Sequence, residues 1–318
     1  MKQDSGIRHS SCIVLCLCLL LAVGCVTNTT VVPVSAVPVA APPAADAPFE
    51  PPAPLGPVFA PGQVRELVPG GAIDWSGKTI RARGAGVLDP GNSNRDLAWQ
   101  MAQRAATVVA QRNLLEIVKG IRVDSDTRVQ NLMAEDDSVY QQIEAVVKGA
   151  RQHGPARYDS LGGTVEIELE CDLYGEDGVE SVLGPLPAAG PPSGNIAASS
   201  LSAAAREFLH QYSVLVLDGS GAGLKPALFP KLYDDSGVLL LDPRELASAG
   251  VVQYVGALDQ VPDHPDFGQP LVLRARDARG KLRTDIVLDR VEAGTLRGMK
   301  DGLEFLATSG RVFVKLAM

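Results

Sequence analysis

The chain has 318 residues, five cysteines and a formal net charge of −8 at neutral pH. An acidic chain is a poor ligand for nucleic acid, because the phosphates of nucleic acid attract basic surfaces. The length is sufficient for two small domains and a tail.

The first 24 residues have the layout of a secretory signal. Lys2 and Arg8 precede an uncharged apolar stretch of about fourteen residues, which ends in small residues before Cys25. A membrane-spanning helix needs roughly twenty apolar residues. Residues 1–24 are therefore predicted to be a cleaved lipoprotein signal peptide and not a transmembrane segment.

Cys25 follows the sequence Leu21-Ala22-Val23-Gly24. A small residue directly before cysteine resembles the lipoprotein box of bacterial lipoproteins, which implies cleavage before Cys25 and acylation of its thiol and its amine. Several acyl chains hold a protein at a membrane, because each buried methylene contributes about 0.8 kcal/mol. Val26 stands where inner-membrane lipoproteins usually have aspartate, so the expected location is the outer membrane, facing the periplasm. An ordinary secretory signal with an incidental cysteine is the alternative interpretation.

Only Cys25 and Cys171 would remain after cleavage, and the net charge would become −9 through loss of Lys2, Arg8 and Asp4. A single thiol besides the lipidated one forms neither an intramolecular disulfide nor a cysteine-based metal site. Cys171 is therefore predicted to be a small buried hydrophobic residue.

Two proline-rich segments divide the rest of the chain. Residues 25–72, which begin with the lipidated cysteine, are predicted to form an extended tether, because proline disfavours helix. At ~3.1 Å per residue, such a tether reaches at most roughly 140 Å. Residues 176–204 are predicted to link a domain at 73–175 to a domain at 205–318, each of the size of a small domain.

The first domain is predicted to begin with the strand Lys78–Val87, followed by a long helix from the cap residues Asn92-Ser93-Asn94 to Lys119-Gly120. Its apolar residues recur at helical spacing and predict the face that packs on a sheet. The main stripe of this face is Leu97, Met101, Ala105 and Val108. A second, alanine-rich stripe widens the same buried face: Ala98, Ala102, Ala106 and Val109.

A second helix is predicted to begin near Asp137-Ser138 and to end at Gly149, before a hairpin whose turn is Leu161-Gly162-Gly163. The last strand alternates apolar residues (Val165, Ile167, Leu169, Cys171, Leu173) with acids (Glu166, Glu168, Glu170, Asp172). This alternation predicts one buried face and one solvated face, with Arg81 and Arg83 as cross-strand partners. A Ca²⁺ site or an acid/base pair is the alternative for the acids, but alternate residues of one strand lie roughly 7 Å apart.

Three segments of this domain carry a family resemblance: the string from Trp75 to Gly84, the helix end from Asn113 to Gly120, and Val123-Asp124-Ser125-Asp126-Thr127. Over residues 73–175 they resemble the LPP-twenty family of outer-membrane lipoproteins, which includes flagellar accessory proteins of the FlgP kind. The resemblance implies an envelope lipoprotein with a role in assembly or as a scaffold. Membership would not by itself make the chain flagellar.

The second domain is predicted to contain the strand Tyr212–Leu217, a hairpin turn at Asp234–Gly237 and another at Asp277–Gly280. A helix at Val291–Leu306 and a final strand at Arg311–Leu316 complete it. The predicted fold class is therefore α+β, with two small mixed α/β domains in which helices pack on antiparallel sheets.

The glycine-rich segment from Asp218 to Pro226 follows a strand, which invites comparison with nucleotide-binding loops. A Walker loop needs glycine before its lysine, and a dinucleotide fingerprint needs a third glycine, but Leu224 occupies that place. The segment is predicted to be a turn that uses positive φ angles and binds no ligand.

Five cations cluster around the second hairpin, and they form the predicted partner-binding site: Arg274, Arg276, Arg279, Lys281 and Arg283. Acidic partners, lipopolysaccharide phosphates or a neighbouring copy of the chain would suit them. A charged edge that resists aggregation is the alternative interpretation. His153, His210 and His264 show no catalytic or zinc-binding spacing. We therefore predict no catalytic residue, no metal and no cofactor, and expect a protein that is not an enzyme.

These features together predict a lipid-anchored outer-membrane lipoprotein with a structural or assembly role in the cell envelope. Its expected partners are the outer membrane, through Cys25, and further copies of itself or an envelope or flagellar machine. The alternative function is a periplasmic ligand-binding module for cell-wall or lipopolysaccharide components.

Overall fold

The computed structural model describes residues 62–183, 198–246, 251–262 and 269–317. The predicted signal peptide, Cys25, the tether up to residue 61 and His264 lie outside these residues. All described residues belong to one compact unit. Within them, no helix combines the length and the apolar character that crossing a bilayer requires.

Seven α-helices and thirteen strands occur in the described ranges. The helices are α1 (Arg95–Gly120), α2 (Val129–Glu135), α3 (Asp137–Lys148), α4 (Val179–Leu183), α5 (Ala203–Gln211), α6 (Arg290–Leu296) and α7 (Lys300–Thr308). The strands of the first half are β1 (Arg65–Val68), β2 (Gly71–Asp74), β3 (Thr79–Val87), β4 (Arg151–Gln152), β5 (Arg157–Asp159) and β6 (Thr164–Asp172). Those of the second half are β7 (Tyr212–Asp218), β8 (Leu232–Asp234), β9 (Leu239–Leu241), β10 (Val252–Val255), β11 (Gln269–Arg279), β12 (Asp285–Leu288) and β13 (Val312–Lys315).

The first half forms an antiparallel sheet in the order β1-β2-β3-β6-β4, with β5 also paired to β6. The predicted hairpin is confirmed, and Gly163 in its turn has a φ of +62°. The predicted alternation of β6 is also confirmed, because Val165, Ile167, Leu169 and Cys171 are buried on one face. Trp75 and Trp99 are also buried.

Helix α1 packs on β3 and β6, and its approach to β3 is unusually close. The side chains of β3 that face the helix become smaller along the strand, in the order Ile80, Ala82, Gly84, Gly86. A Cβ atom on Gly84 would lie 2.1 Å from the carbonyl oxygen of Ala106, and one on Gly86 would lie 2.1 Å from that of Ala102. The backbone of the helix therefore rests directly on the backbone of the strand.

The predicted ends of α1 are confirmed, but the prediction for its buried face is partly wrong. Asn94 caps the helix by accepting a hydrogen bond from the amide of Leu97 at 3.0 Å. The three alanines of the second stripe are buried and its Val109 is half-buried, whereas Leu97, Met101 and Val108 are 47%, 59% and 55% exposed. Only alanine-sized side chains fit against the glycines of β3, so the helix turns its larger apolar residues towards solvent.

The second half forms a mixed sheet in the order β10-β13-β7-β11-β12-β8-β9. The pairs β10/β13, β13/β7, β7/β11 and β12/β8 are parallel, and the pairs β11/β12 and β8/β9 are antiparallel. The predicted strands at Tyr212–Leu217 and Arg311–Leu316 are confirmed as the neighbours β7 and β13. The chain is therefore of the α+β class.

Two predictions in this half are wrong in detail. The predicted helix Val291–Leu306 is broken into α6 and α7, because Gly298 between them has a φ of +78°. The second hairpin turns later than predicted, since β11 continues to Arg279 past a bulge between Ala275 and Asp277. Its turn contains Gly280 at φ +86° and Arg283 at φ +55°.

Backbone hydrogen bonds join the two predicted domains directly. The loop after α1 accepts bonds from the amides of Leu228 and Phe229 at its residues Arg122 and Val123, at 3.0 and 2.9 Å. Ser125 of the same loop accepts a bond from the amide of Leu282 at 2.9 Å. Buried apolar residues of both halves also form one continuous core.

Gly84→Ala should lower the free energy of unfolding by about 1–3 kcal/mol, because the added methyl group meets the backbone of α1 and the helix has to move. Gly294→Ala is the control, since nothing lies within 4 Å of a Cβ atom at Gly294, and alanine inside a helix should stabilise by up to about 1 kcal/mol. Urea denaturation of the full chain measures both. Equal stability of the two variants would contradict the close helix-to-strand contact.

Candidate functional site

The predicted partner-binding residues lie on and beside the β11/β12 hairpin. Along β11, Leu273 and Ala275 are buried, while Arg274 and Arg276 point to the exposed face. Arg274 is in register with Asp218 of the parallel neighbour β7. Arg279 ends β11, and Lys281 and Arg283 lie in the turn. The structure thus places the five cations along one hairpin, but on different sides of it.

Three of the five cations are held by partners within the chain. The Nη1 atom of Arg276 lies 3.2 Å from a carboxylate oxygen of Asp235. The guanidinium of Arg279 lies 4.9 Å from the centre of the Tyr233 ring, a cation–π contact. Each of these two partners lies on or just after β8, far from the hairpin in sequence.

Arg283 fastens the turn of the hairpin to the glycine-rich segment. Its Nη2 atom donates to the carbonyl oxygen of Ala222 at 2.8 Å and lies 3.2 Å from Asp277. Arg274 and Lys281 remain exposed, with no partner shown in the described ranges. The structure therefore does not gather five cations around one anion, which removes much of the support for a ligand site at this hairpin.

Several amides of the glycine-rich segment are also engaged in hydrogen bonds within the protein. The amide of Ala222 donates to the carbonyl of Gly219 at 3.1 Å, and that of Lys225 donates to the carbonyl of Arg283 at 2.8 Å. Gly223 has a φ of +65°, which confirms the predicted turn with a positive φ angle. A phosphate cradle needs free amides that converge on one point, and these amides bind the protein itself.

The acidic row of β6 is paired across the sheet, as predicted. Arg81 lies opposite Glu170 and Arg83 opposite Glu168, with Nε to carboxylate distances of 2.6 and 3.0 Å. Arg151 of β4 lies 2.8 Å from both Glu170 and Asp172. His153 lies near the same group, with its Nδ1 atom 3.4 Å from Glu170. The acids and bases form a ladder of ion pairs on the face of the sheet opposite α1.

The electrostatics of this ladder favour ionised acids. Burial raises the pKa of Glu170, but hydrogen bonds from Arg81 and Arg151 outweigh it, so that the pKa lies below its ordinary value. The hydrogen bond from Arg151 likewise lowers the pKa of Asp172. No group of three or more His, Cys, Asp or Glu side chains suited to a metal ion occurs among the described residues. Glu168, Glu170 and Asp172 are thus engaged in ion pairs within the sheet.

A cavity of about 260 Å³, not predicted above, lies between the β1/β2 hairpin and the end of α1. Its floor is apolar, with Val68, Ile73 and Ile117. Arg122 lines one wall, where it pairs with Glu66 and donates from Nε to the carbonyl oxygen of Pro226 at 2.7 Å. A buried arginine between apolar neighbours, in Ile121-Arg122-Val123, is the sequence signal that marks this position.

Burial of Cys171 is confirmed, and burial raises the pKa of its thiol to about 12. A thiol with so high a pKa carries almost no thiolate at neutral pH and is unreactive. The other predicted site residue, Cys25, lies outside the described residues.

Glu170→Gln should destabilise the chain by about 1–2 kcal/mol at pH 7, because Arg81 loses its charged acceptor. Since the folded-state pKa of Glu170 is lowered, its stabilisation is complete above about pH 5 and is lost as the pH falls through the lowered value. The unfolding free energy of the variant should therefore depend less on pH below pH 5. Glu166→Gln, opposite Ala85 on the same face, is the control. If the unfolding free energies of Glu170→Gln and of the unmodified chain depended on pH in the same way, the stabilising role of the Glu170–Arg81 ion pair would be refuted.

Comparison with known proteins finds similarity in the second half. A family model described as Treponema pallidum Tp0624, second domain, matches residues 214–316. The match begins within β7 and ends just after β13, so it covers the mixed sheet and not the antiparallel one. No curated protein matches the chain. Because the matched part is less than half of the chain, the finding is a similarity of the mixed-sheet region to that domain.

Proposed function

We propose that the chain is a lipid-anchored outer-membrane lipoprotein with a structural or assembly role in the cell envelope. The observation that carries the proposal is the apolar segment ending in Val23-Gly24-Cys25, which has the form of a lipoprotein signal. The resemblance of residues 73–175 to the LPP-twenty family supports the same role. Acyl chains on Cys25 would hold the protein at the outer membrane, and the proline-rich tether would extend from them into the periplasm.

The geometry of the folded part supports an assembly role over a chemical one. Several polar groups of the kind that build a binding or catalytic site are engaged with the protein itself: Arg283 with the glycine-rich segment, Glu170 with Arg81 and Arg151. Groups held in this way stabilise the fold and are not available to a ligand. The fold instead presents exposed surfaces suited to contacts with other proteins, including the exposed side of α1.

Cys25→Ser in the full chain should abolish acylation, because the serine hydroxyl cannot replace the thiol. The variant should lose the mass of the acyl groups and move from the membrane fraction to the soluble fraction, measured by mass spectrometry and cell fractionation. Cys18→Ser lies in the segment expected to be removed, so this control should behave like the unmodified chain. A strain that lacks the chain should show an envelope defect that the unmodified gene repairs and Cys25→Ser does not. Membrane retention of Cys25→Ser with unchanged mass would overturn the proposed anchor.

A further inference from the structure

The exposed side of α1 carries apolar and basic residues at helical spacing. Leu97, Met101 and Val108 are exposed, and Leu115 continues the row at intermediate exposure. Arg104 and Arg112 lie among them at helical spacing and are exposed. We call these six residues the outer stripe. From Leu97 to Leu115 the stripe is about 27 Å long, at ~1.5 Å per residue.

The exposed residues of the outer stripe lie outside the core, and only the half-buried Leu115 at its end packs against it. The opposite side of α1 supplies the core contact: its alanines pack on Gly84 and Gly86 of β3, and Asn113 donates to the carbonyl oxygen of Arg83 at 2.7 Å. Exposed apolar residues scattered singly are ordinary, but several grouped along one side of a helix are typical of an interaction surface. The outer stripe is therefore suited to a partner.

The charge of the outer stripe restricts the partner. Within the described part of the chain, neither Arg104 nor Arg112 makes an ion pair with an acid, although the whole chain has a net charge of −8. A basic and apolar row fits a partner surface that is acidic and carries an exposed apolar group.

The same chain presents such a surface at the junction of α2 and α3. Glu135 and Asp137 are exposed there, and the ring of Tyr140 is 40% exposed one turn further along α3. Asp136 between them caps α3 by accepting a hydrogen bond from the amide of Ser138 at 2.7 Å. We call Glu135, Asp137 and Tyr140 the acidic tip. The outer stripe and the acidic tip are complementary in charge and in apolar character.

We propose that the outer stripe of one chain docks the acidic tip of a second copy. This inference rests on the assembly role proposed above and names its contact surface. Two different surfaces meet in such a contact, so each copy keeps a free stripe or a free tip and further copies add until a ring closes or an open array forms. One helix face is a small interface, and lipid anchors strengthen it by concentrating the chains at the membrane.

Cysteine crosslinking of the full chain in cells tests the contact. Met101→Cys marks the outer stripe, and Gln141→Cys marks the exposed face of α3, one turn beyond Asp137. Co-expression of the two variants should give a disulfide-linked dimer, and each variant alone should give little. A chain that carries both substitutions should give a ladder of larger products. Crosslinking of Met101→Cys with itself as strongly as with Gln141→Cys would overturn the proposal, as would the absence of any crosslink.

Exchanging charges between the outer stripe and the acidic tip distinguishes this specific contact from a general electrostatic attraction between chains. Arg104→Glu in the stripe-marked chain should lower the crosslinked fraction about tenfold, which corresponds to about 1.4 kcal/mol. Glu135→Arg in the tip-marked chain should restore much of it. Arg290→Glu, at an exposed position in the first turn of α6, is the control and should leave crosslinking unchanged. No recovery with Glu135→Arg would contradict the pairing of these two surfaces.

Membrane fractionation and vesicle binding distinguish the possible failures. Loss of crosslinking in a chain that stays acylated and membrane-bound overturns the contact and leaves the proposed anchor intact. Crosslinking in a chain that is not membrane-bound supports the contact and overturns the anchor. Co-sedimentation of a monomeric chain with vesicles containing anionic phospholipid, abolished by Arg104→Glu, would assign the outer stripe to a lipid surface and overturn the proposal.

Discussion

The direct contact between the backbones of α1 and β3 determines how the first half of the molecule is arranged. Gly84 and Gly86 leave no room for a side chain, so α1 turns its smallest residues towards the strand. This orientation fixes which side of the helix is free. It also fixes the position of the loop that follows α1, whose residues Arg122 and Val123 accept the amides of Leu228 and Phe229. The packing of α1 on β3 thus also positions the loop whose hydrogen bonds join the two sheets.

Residue patterns predicted those elements whose structure depends on neighbours in sequence. The alternation of β6, the capped start of α1 and the hairpin at Gly163 follow from local periodicity and turn chemistry. The pairing of Arg81 with Glu170 follows from the alternation of residues along two adjacent strands. The orientation of α1 could not be read from periodicity, because both of its stripes have helical spacing. The alternating glycines of β3 were the signal that the alanine stripe faces inward.

The predicted binding site at the β11/β12 hairpin likewise depends on contacts that residue patterns do not reveal. A cluster of five cations is visible in the sequence, but their partners come from remote segments: Tyr233 and Asp235 from the β8/β9 hairpin, and Ala222 from the glycine-rich segment. The sequence shows which charged side chains are present, but it does not show whether remote parts of the fold already pair with them. The outer stripe is the converse case, since apolar side chains of the kind that usually form a core lie on the surface there. Together, the polar groups paired within the fold and the exposed side of α1 support the proposal that the protein acts through its location and its contacts with partners.

The reactivity of a cysteine placed on the outer stripe tests this account most directly. In Val108→Cys, the new thiol should react rapidly with a maleimide when the chain is dispersed in detergent, and much more slowly in intact envelopes, where partners cover the stripe. Cys171 is the internal control, because burial keeps it unreactive in both states. Slow labelling in envelopes and fast labelling after dispersal is the result the account predicts. Equally fast labelling in both states would show that the exposed side of α1 has no partner and would contradict it.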